Sequence, residues 1–139
     1  MKLRAMPRFL LITGCAVLAP LPAARVAAQS DSARSSGAIA AAQAKRGEAT
    51  FKETCAACHA TAQFNTAAFA RSWNERPVFE LFDQLRSNMP QDNPGGLTRQ
   101  QYLDVVLYLF KLNGAAEGER ELAPDDDVMK STRIKLNGR

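Results

Sequence analysis

The stretch "TCAACH", Thr54–His59, decides how this chain is read, because residues 55–59 bring together two thiols and an imidazole. Cys55, Cys58 and His59 stand at i, i+3 and i+4, so on one helical turn all three share a face. His59 is the single histidine of the 139-residue chain, and the third cysteine, Cys15, lies far upstream. The chemistry of the motif therefore depends on which residues remain in the working protein.

The first thirty residues answer that. Lys2, Arg4 and Arg8 form a basic start, "FLLITGCAVLAPL" (9–21) is a short apolar run, and Val26 and Ala28 are small residues placed for a signal peptidase. Residues 1–28 are read as a signal peptide cut between Ala28 and Gln29, which predicts export to the periplasm. A rival reading uses Cys15: Ile12-Thr13-Gly14-Cys15 also resembles the lipobox of bacterial lipoproteins and would give a lipid anchor. Four of the 18 Lys and Arg, and none of the 14 acids, fall in 1–28, so the mature chain is left with 14 of each. A formally neutral protein has no global field to favour nucleic acid. No transmembrane span is expected in the mature chain.

After removal of the signal, Cys55, Cys58 and His59 are every Cys and His that remain. A structural zinc site closes with four such ligands, and three are present. A thioredoxin-like dithiol needs a strand-helix-strand setting, and no strand-like alternation is readable. A disulfide between residues three apart closes too small a loop to stabilise much. C-x-x-C-H is instead the signature of covalent c-type haem attachment: Cys55 and Cys58 would bond the two vinyl groups of one porphyrin, and His59 would be the proximal iron ligand. The motif occurs once, so one haem c is expected.

Around the motif the chain reads as helical. Residues 29–42 are Ser, Ala and Gly with scattered charge, taken as a flexible leader; the domain is expected over 43–116 and a tail over 117–139. "AQAKRGEATFKETC" (42–55) sets Ala44, Gly47, Phe51 and Cys55 on one face, and Gly47 marks a place where another element comes close. "RPVFELFDQLRSN" (76–88) repeats Val78, Leu81, Phe82 and Leu85 at helical spacing behind Pro77. "MPQDNPGG" (89–96) is a constrained loop, and "LTRQQYLDVVLYLFKLNG" (97–114) is a helix with capping-box spacing at Thr98 and Gln101 and a stop at Asn113-Gly114. The stretch between the first two helices is read as loop with a short turn, and the tail, with its acidic run 125–127, is assigned no chemistry. A sixth iron ligand would come from Met89 or Met129, the two methionines outside the signal; Met89, thirty positions after His59 in a Pro-stiffened loop, is preferred over Met129 in the charged tail.

Over about Gln43 to Ala116 the chain resembles the class I cytochromes c: Gly47 and Phe51 ahead of "CAACH", "NMP" as the Met segment, and "YLDVVLYLFKLNG" as the last helix. The resemblance implies an all-α fold, a small helical domain wrapped around one covalent haem, with Gly47 meeting Tyr108 or its neighbours where the first and last helices cross. The stretch from Trp73 to Gly114 is similar to the cytochrome c domains that accompany quinoprotein alcohol dehydrogenases. What this implies is a periplasmic one-electron carrier, not an enzyme, that accepts electrons from a dehydrogenase and passes them toward a terminal oxidase. A haem-based sensor, or a small subunit of an oxidoreductase complex, is the alternative. Trp73 and Arg76 are possible propionate partners and are given no role.

Overall fold

The computed structural model describes residues 38–138. The expected signal, its Cys15 alternative and residues 29–37 lie outside the described residues. The order of elements is β1 (Ala38–Ala40), α1 (Ala41–Thr50), a π-helical turn (Phe51–Cys55), a 3-10 turn (Thr61–Gln63), α2 (Ala67–Trp73), α3 (Val78–Asn88), α4 (Arg99–Leu112), β2 (Ala116–Gly118) and α5 (Asp126–Ser131).

The long helix α4 is the centre of the molecule. Thr98 accepts from the Gln101 backbone N–H and the Gln101 side chain returns the bond to the Thr98 N–H, so the expected capping box is present. Its two apolar stripes are both covered: every residue from Tyr102 to Phe110 is buried. The helix ends at Asn113 and at Gly114, whose φ of +80° suits glycine.

The crossing of α1 over α4 explains Gly47. A Cβ there would lie 1.9 Å from the Asp104 carbonyl oxygen and 2.9 Å from the Val105 nitrogen, so the two backbones touch. The resemblance placed this contact at Tyr108 or its neighbours; it falls one turn earlier, and the Tyr108 ring packs on Phe51 with centroids 5.6 Å apart. Arg46 closes the crossing, reaching Glu121 at 2.7 Å and Asp104 at 2.8 Å. These bonds, Glu121 first, hold the guanidinium pKa far above its ordinary value.

Three features differ from the sequence expectation. The stretch read as loop contains α2, a seven-residue helix whose N-terminus is capped by Thr66 accepting from the Phe69 N–H; it is too short for its period to stand out. Two strands are present, β1 and β2, paired in parallel over three residues each, with Ile39 and Ala40 buried. Residues 38–42 of the segment taken as leader thus belong to β1 and the start of α1. The tail is also structured: Met129, Ile134 and Leu136 are core residues. Its path runs beside the start of α3, with Val78 N–H donating to the Thr132 carbonyl and Glu75 N–H to the Ile134 carbonyl. Gln43 is wholly buried and pairs by both side-chain atoms with the backbone of Leu122, at 2.8 and 2.7 Å, fastening the tail to α1. Isolated apolar residues set among charges hid this packing from any periodicity.

Candidate functional site

The face of α4 that carries Tyr102, Val105 and Leu109 forms one wall of a cavity of about 1080 Å3. That is at the upper end of ligand pockets, which run to roughly 1,000 Å3. Its other walls come from the π-helical turn, the residues after His59, α2, the end of α3 and the loop beginning at Met89. Most of the deep lining is apolar and aromatic. Phe51, Phe64, Phe69 and Trp73 follow one another with centroid separations of 5.9, 6.1 and 6.3 Å, the first two contacts edge-to-face and the third tilted.

Cys55, Cys58, His59 and Met89 all line this cavity. The π-helical turn delivers the first three: Ala56 N–H bonds back to the Phe51 carbonyl, five residues earlier, and the Cys58 and His59 N–H groups both donate to the Cys55 carbonyl, at 3.1 and 2.9 Å. The Cys55 thiol is half-buried and its pKa is pushed up by that burial; Cys58 is exposed. His59 Nδ1 donates to Gln63 Oε1 at 3.1 Å, which leaves Nε2 as the ring nitrogen free of that bond. The His59 ring also meets Phe64 edge-on at 5.5 Å, and Phe64 is held from α4, its carbonyl accepting from Asn113 Nδ2 at 2.9 Å.

Met89 ends α3. Its N–H donates to the Leu85 carbonyl, its side chain is 38 % exposed, and its peptide bond to Pro90 is cis. Its carbonyl accepts from the buried Tyr102 hydroxyl at 2.6 Å, so α4 anchors this segment as well. Met129, the other candidate donor, is 0 % exposed in the tail core and is not part of the cavity wall. Trp73 lines the cavity; Arg76 does not, and instead lies over the Trp73 ring at 4.8 Å and pairs with Glu80.

Sequence reasoning did not single out Gln63, Tyr102 and Asn113, which hold the site segments. Gln63 stands four residues after His59, and that spacing was a usable signal. Tyr102 was read for its ring alone. Among the described residues no group of three or more His, Cys, Asp or Glu converges to hold a bare metal ion. The donor set of two thiols, an imidazole and a thioether around a large, aromatic-walled cavity fits a planar, covalently attached macrocycle.

The fold is thus small and mostly helical, and compatible with a cytochrome c fold. A scan against family models matches residues 42–109 to the family described as "Cytochrome C oxidase, cbb3-type, subunit III", and that segment is accordingly a c-type cytochrome domain of class I-like kind. Searches of curated proteins and of solved structures give no match. Such a domain carries a covalently bound c-type haem and serves electron transfer with redox partner proteins. Among the described residues no helix is long and apolar enough to cross a membrane.

Proposed function

We propose that this protein is an exported, periplasmic one-electron carrier with a single haem c, attached through Cys55 and Cys58 and ligated by His59 and Met89. The observation that carries the reading is that these four side chains line one cavity while Met129 is sealed in the tail core. When bound, the haem supplies an Fe(III)/Fe(II) couple.

The chain's part is to hold and to tune. Cys55 and Cys58 would hold the group by its two vinyl-derived bonds from one helical turn. Gln63 keeps the Nδ1 proton of His59 in place, so that Nε2 is the ligating atom. Tyr102 anchors the Met89 segment through its carbonyl, and the aromatic wall would shield the bound group from water. With His59 and Met89 both holding it, the group would supply one-electron transfer without any ligand arriving or leaving.

The electron source in this reading is a periplasmic dehydrogenase and the sink a terminal oxidase. The name of the matched family, that of an oxidase subunit, supports the sink. The same name favours a second reading, a subunit held in an oxidoreductase complex; purification of the native protein alone, or with oxidase subunits, separates the two.

Optical spectroscopy tests the ligand set. A far-red charge-transfer band in the oxidised protein, lost in Met89→Ala and kept in Met129→Leu, is the expected result. Survival of the band in Met89→Ala would assign the thioether ligand to Met129 instead, and rapid carbon monoxide binding by the reduced wild type would overturn the carrier reading in favour of a haem-based sensor.

A further inference from the structure

After Gly114 the chain leaves α4 and later returns to it. It pairs with β1 through β2, bonds to Arg46 at Glu121 and to Gln43 at Leu122, and meets Arg99 at Pro124 and Asp126. It then passes α3, where Lys130 lies 4.7 Å from the Phe79 ring centroid and Met129 enters the core. Beyond α5 it is extended: Thr132, Ile134 and Leu136 are buried while Arg133, Lys135 and Asn137 are exposed, the period of two that a strand gives. This stretch comes back to the C-terminal cap of α4. There Asn137 Nδ2 donates to the Gly114 carbonyl at 3.0 Å and the Gly138 N–H donates to the Asn113 carbonyl at 3.2 Å. Residues 115–138 thus form a closed girdle, all of it outside the family-matched segment 42–109.

The girdle closes behind the aromatic wall of the cavity. The Leu136 N–H donates to Asn74 Oδ1 at 2.8 Å, at the C-terminus of α2. A Cβ on Gly138 would stand 3.8 Å from the Ala70 Cβ, so the same few residues grip α2 and the cap of α4 together. Leu136 and Ala70 belong to one buried cluster, against which Phe69 and Trp73 pack. Asn113, the cap residue that Gly138 meets, is buried and uses its Nδ2 to hold the Phe64 carbonyl. Phe64, Phe69 and Trp73 all line the cavity, and Phe64 meets the His59 ring. α2 itself has only seven residues, and a helix so short persists only through tertiary packing.

From this placement we propose that Leu136, Asn137 and Gly138 are positioning residues: by joining Asn74 of α2 to Asn113 and Gly114 of α4, they hold Phe64, Phe69 and Trp73 against the bound group and so set its reduction potential. The proposal rests on the haem reading above. None of the three lines the cavity, so they act through the wall and not by contact. The route is solvent access. An apolar shell that keeps water away disfavours the more positively charged oxidised state, and a shell that opens lets water favour it. A loosened brace therefore lowers the potential while the donor atoms stay in place.

Asn74→Ala/Asn137→Ala removes one partner from each grip, at exposed positions. In the reduced holoprotein, amide hydrogen exchange read by NMR should be about tenfold faster at Ala70 and Asn74 and unchanged in α4; these two N–H groups donate to the Thr66 and Ala70 carbonyls. Spectroelectrochemical titration should give a midpoint potential below that of wild type, with the far-red band retained. Gln43→Leu is the control, since it frees the girdle from α1 at Leu122. It should lower the thermal midpoint yet leave the potential and the α2 exchange near those of wild type. An unshifted potential in the double variant, a shifted one without faster α2 exchange, or an equal shift in Gln43→Leu would overturn the proposal. Failure of the haem reading would show separately, as absence of the far-red band in the wild-type protein.

Discussion

The α1–α4 crossing and the cavity wall are both built on α4, yet they are held in opposite ways. At the crossing, backbone lies on backbone with no room for a methyl group at Gly47, and Arg46, Gln100, Asp104 and Glu121 form a connected set of bonds around it. At the cavity, the segments that carry His59 and Met89 are tied by single side-chain bonds: Asn113 to the Phe64 carbonyl, Tyr102 to the Met89 carbonyl, Gln63 to His59. The lesson is a division of labour. The crossing sets the fold, and the lighter ties adjust the donor atoms on a frame that stands without them.

That contrast is broken most severely at Gly47. In Gly47→Ala the new Cβ meets main chain, not a flexible side-chain tip, so the helices must part. The loss should reach about 3 kcal/mol, the upper end of overpacking costs, read as a fall in the thermal midpoint of the holoprotein. Unchanged stability would mean that the crossing is not the rigid half of the pair. Next in size is Met129→Ala, which opens a cavity in the tail core. It should cost about 2 kcal/mol, the lower end for truncation of a buried methionine, while the far-red band is retained, since Met129 does not line the cavity. Loss of that band would erase the distinction between tail core and site.

The rigid half was the more legible in the sequence. A glycine in a helix of good formers, a capping box at Thr98 and Gln101, and apolar residues at helical spacing are local signals, and each corresponds to an observed element. Cys55, Cys58 and His59, concentrated in a motif, and Met89, a rare donor in a constrained loop, were the site residues the sequence pointed to, and all four line one cavity. The packed tail was hidden because Met129, Ile134 and Leu136 find their partners only after the chain has folded back along α3. Tyr102 was hidden for a different reason: its ring fits an apolar stripe, while its hydroxyl acts thirteen residues away.

Tyr102→Phe tests the heavier of the two ties closest to the donor atoms. Loss of one hydrogen bond should cost about 1 kcal/mol of stability. The sharper readout is local: the far-red band should disappear at a lower denaturant concentration than helical circular dichroism does, and imidazole should displace Met89 more readily than in wild type. Coincident loss of band and helix, as in wild type, would show that Tyr102 serves the core alone.

The smallest energetic effect, and the most selective, is expected at Gln63. The side chain is exposed and its bond to His59 competes with water, so Gln63→Leu should change stability by no more than about 0.5 kcal/mol. Its effect is electronic. An acceptor on Nδ1–H raises the basicity of Nε2, and a more basic ligand favours the oxidised iron. Removing the acceptor in Gln63→Leu should therefore raise the midpoint potential, and strengthening it in Gln63→Glu should lower it, with the optical spectrum otherwise unchanged. Spectroelectrochemical titration of the three proteins gives the order directly. If both variants match wild type, the Gln63 bond does not reach the iron, and the light ties of the cavity wall are reduced to those from α4.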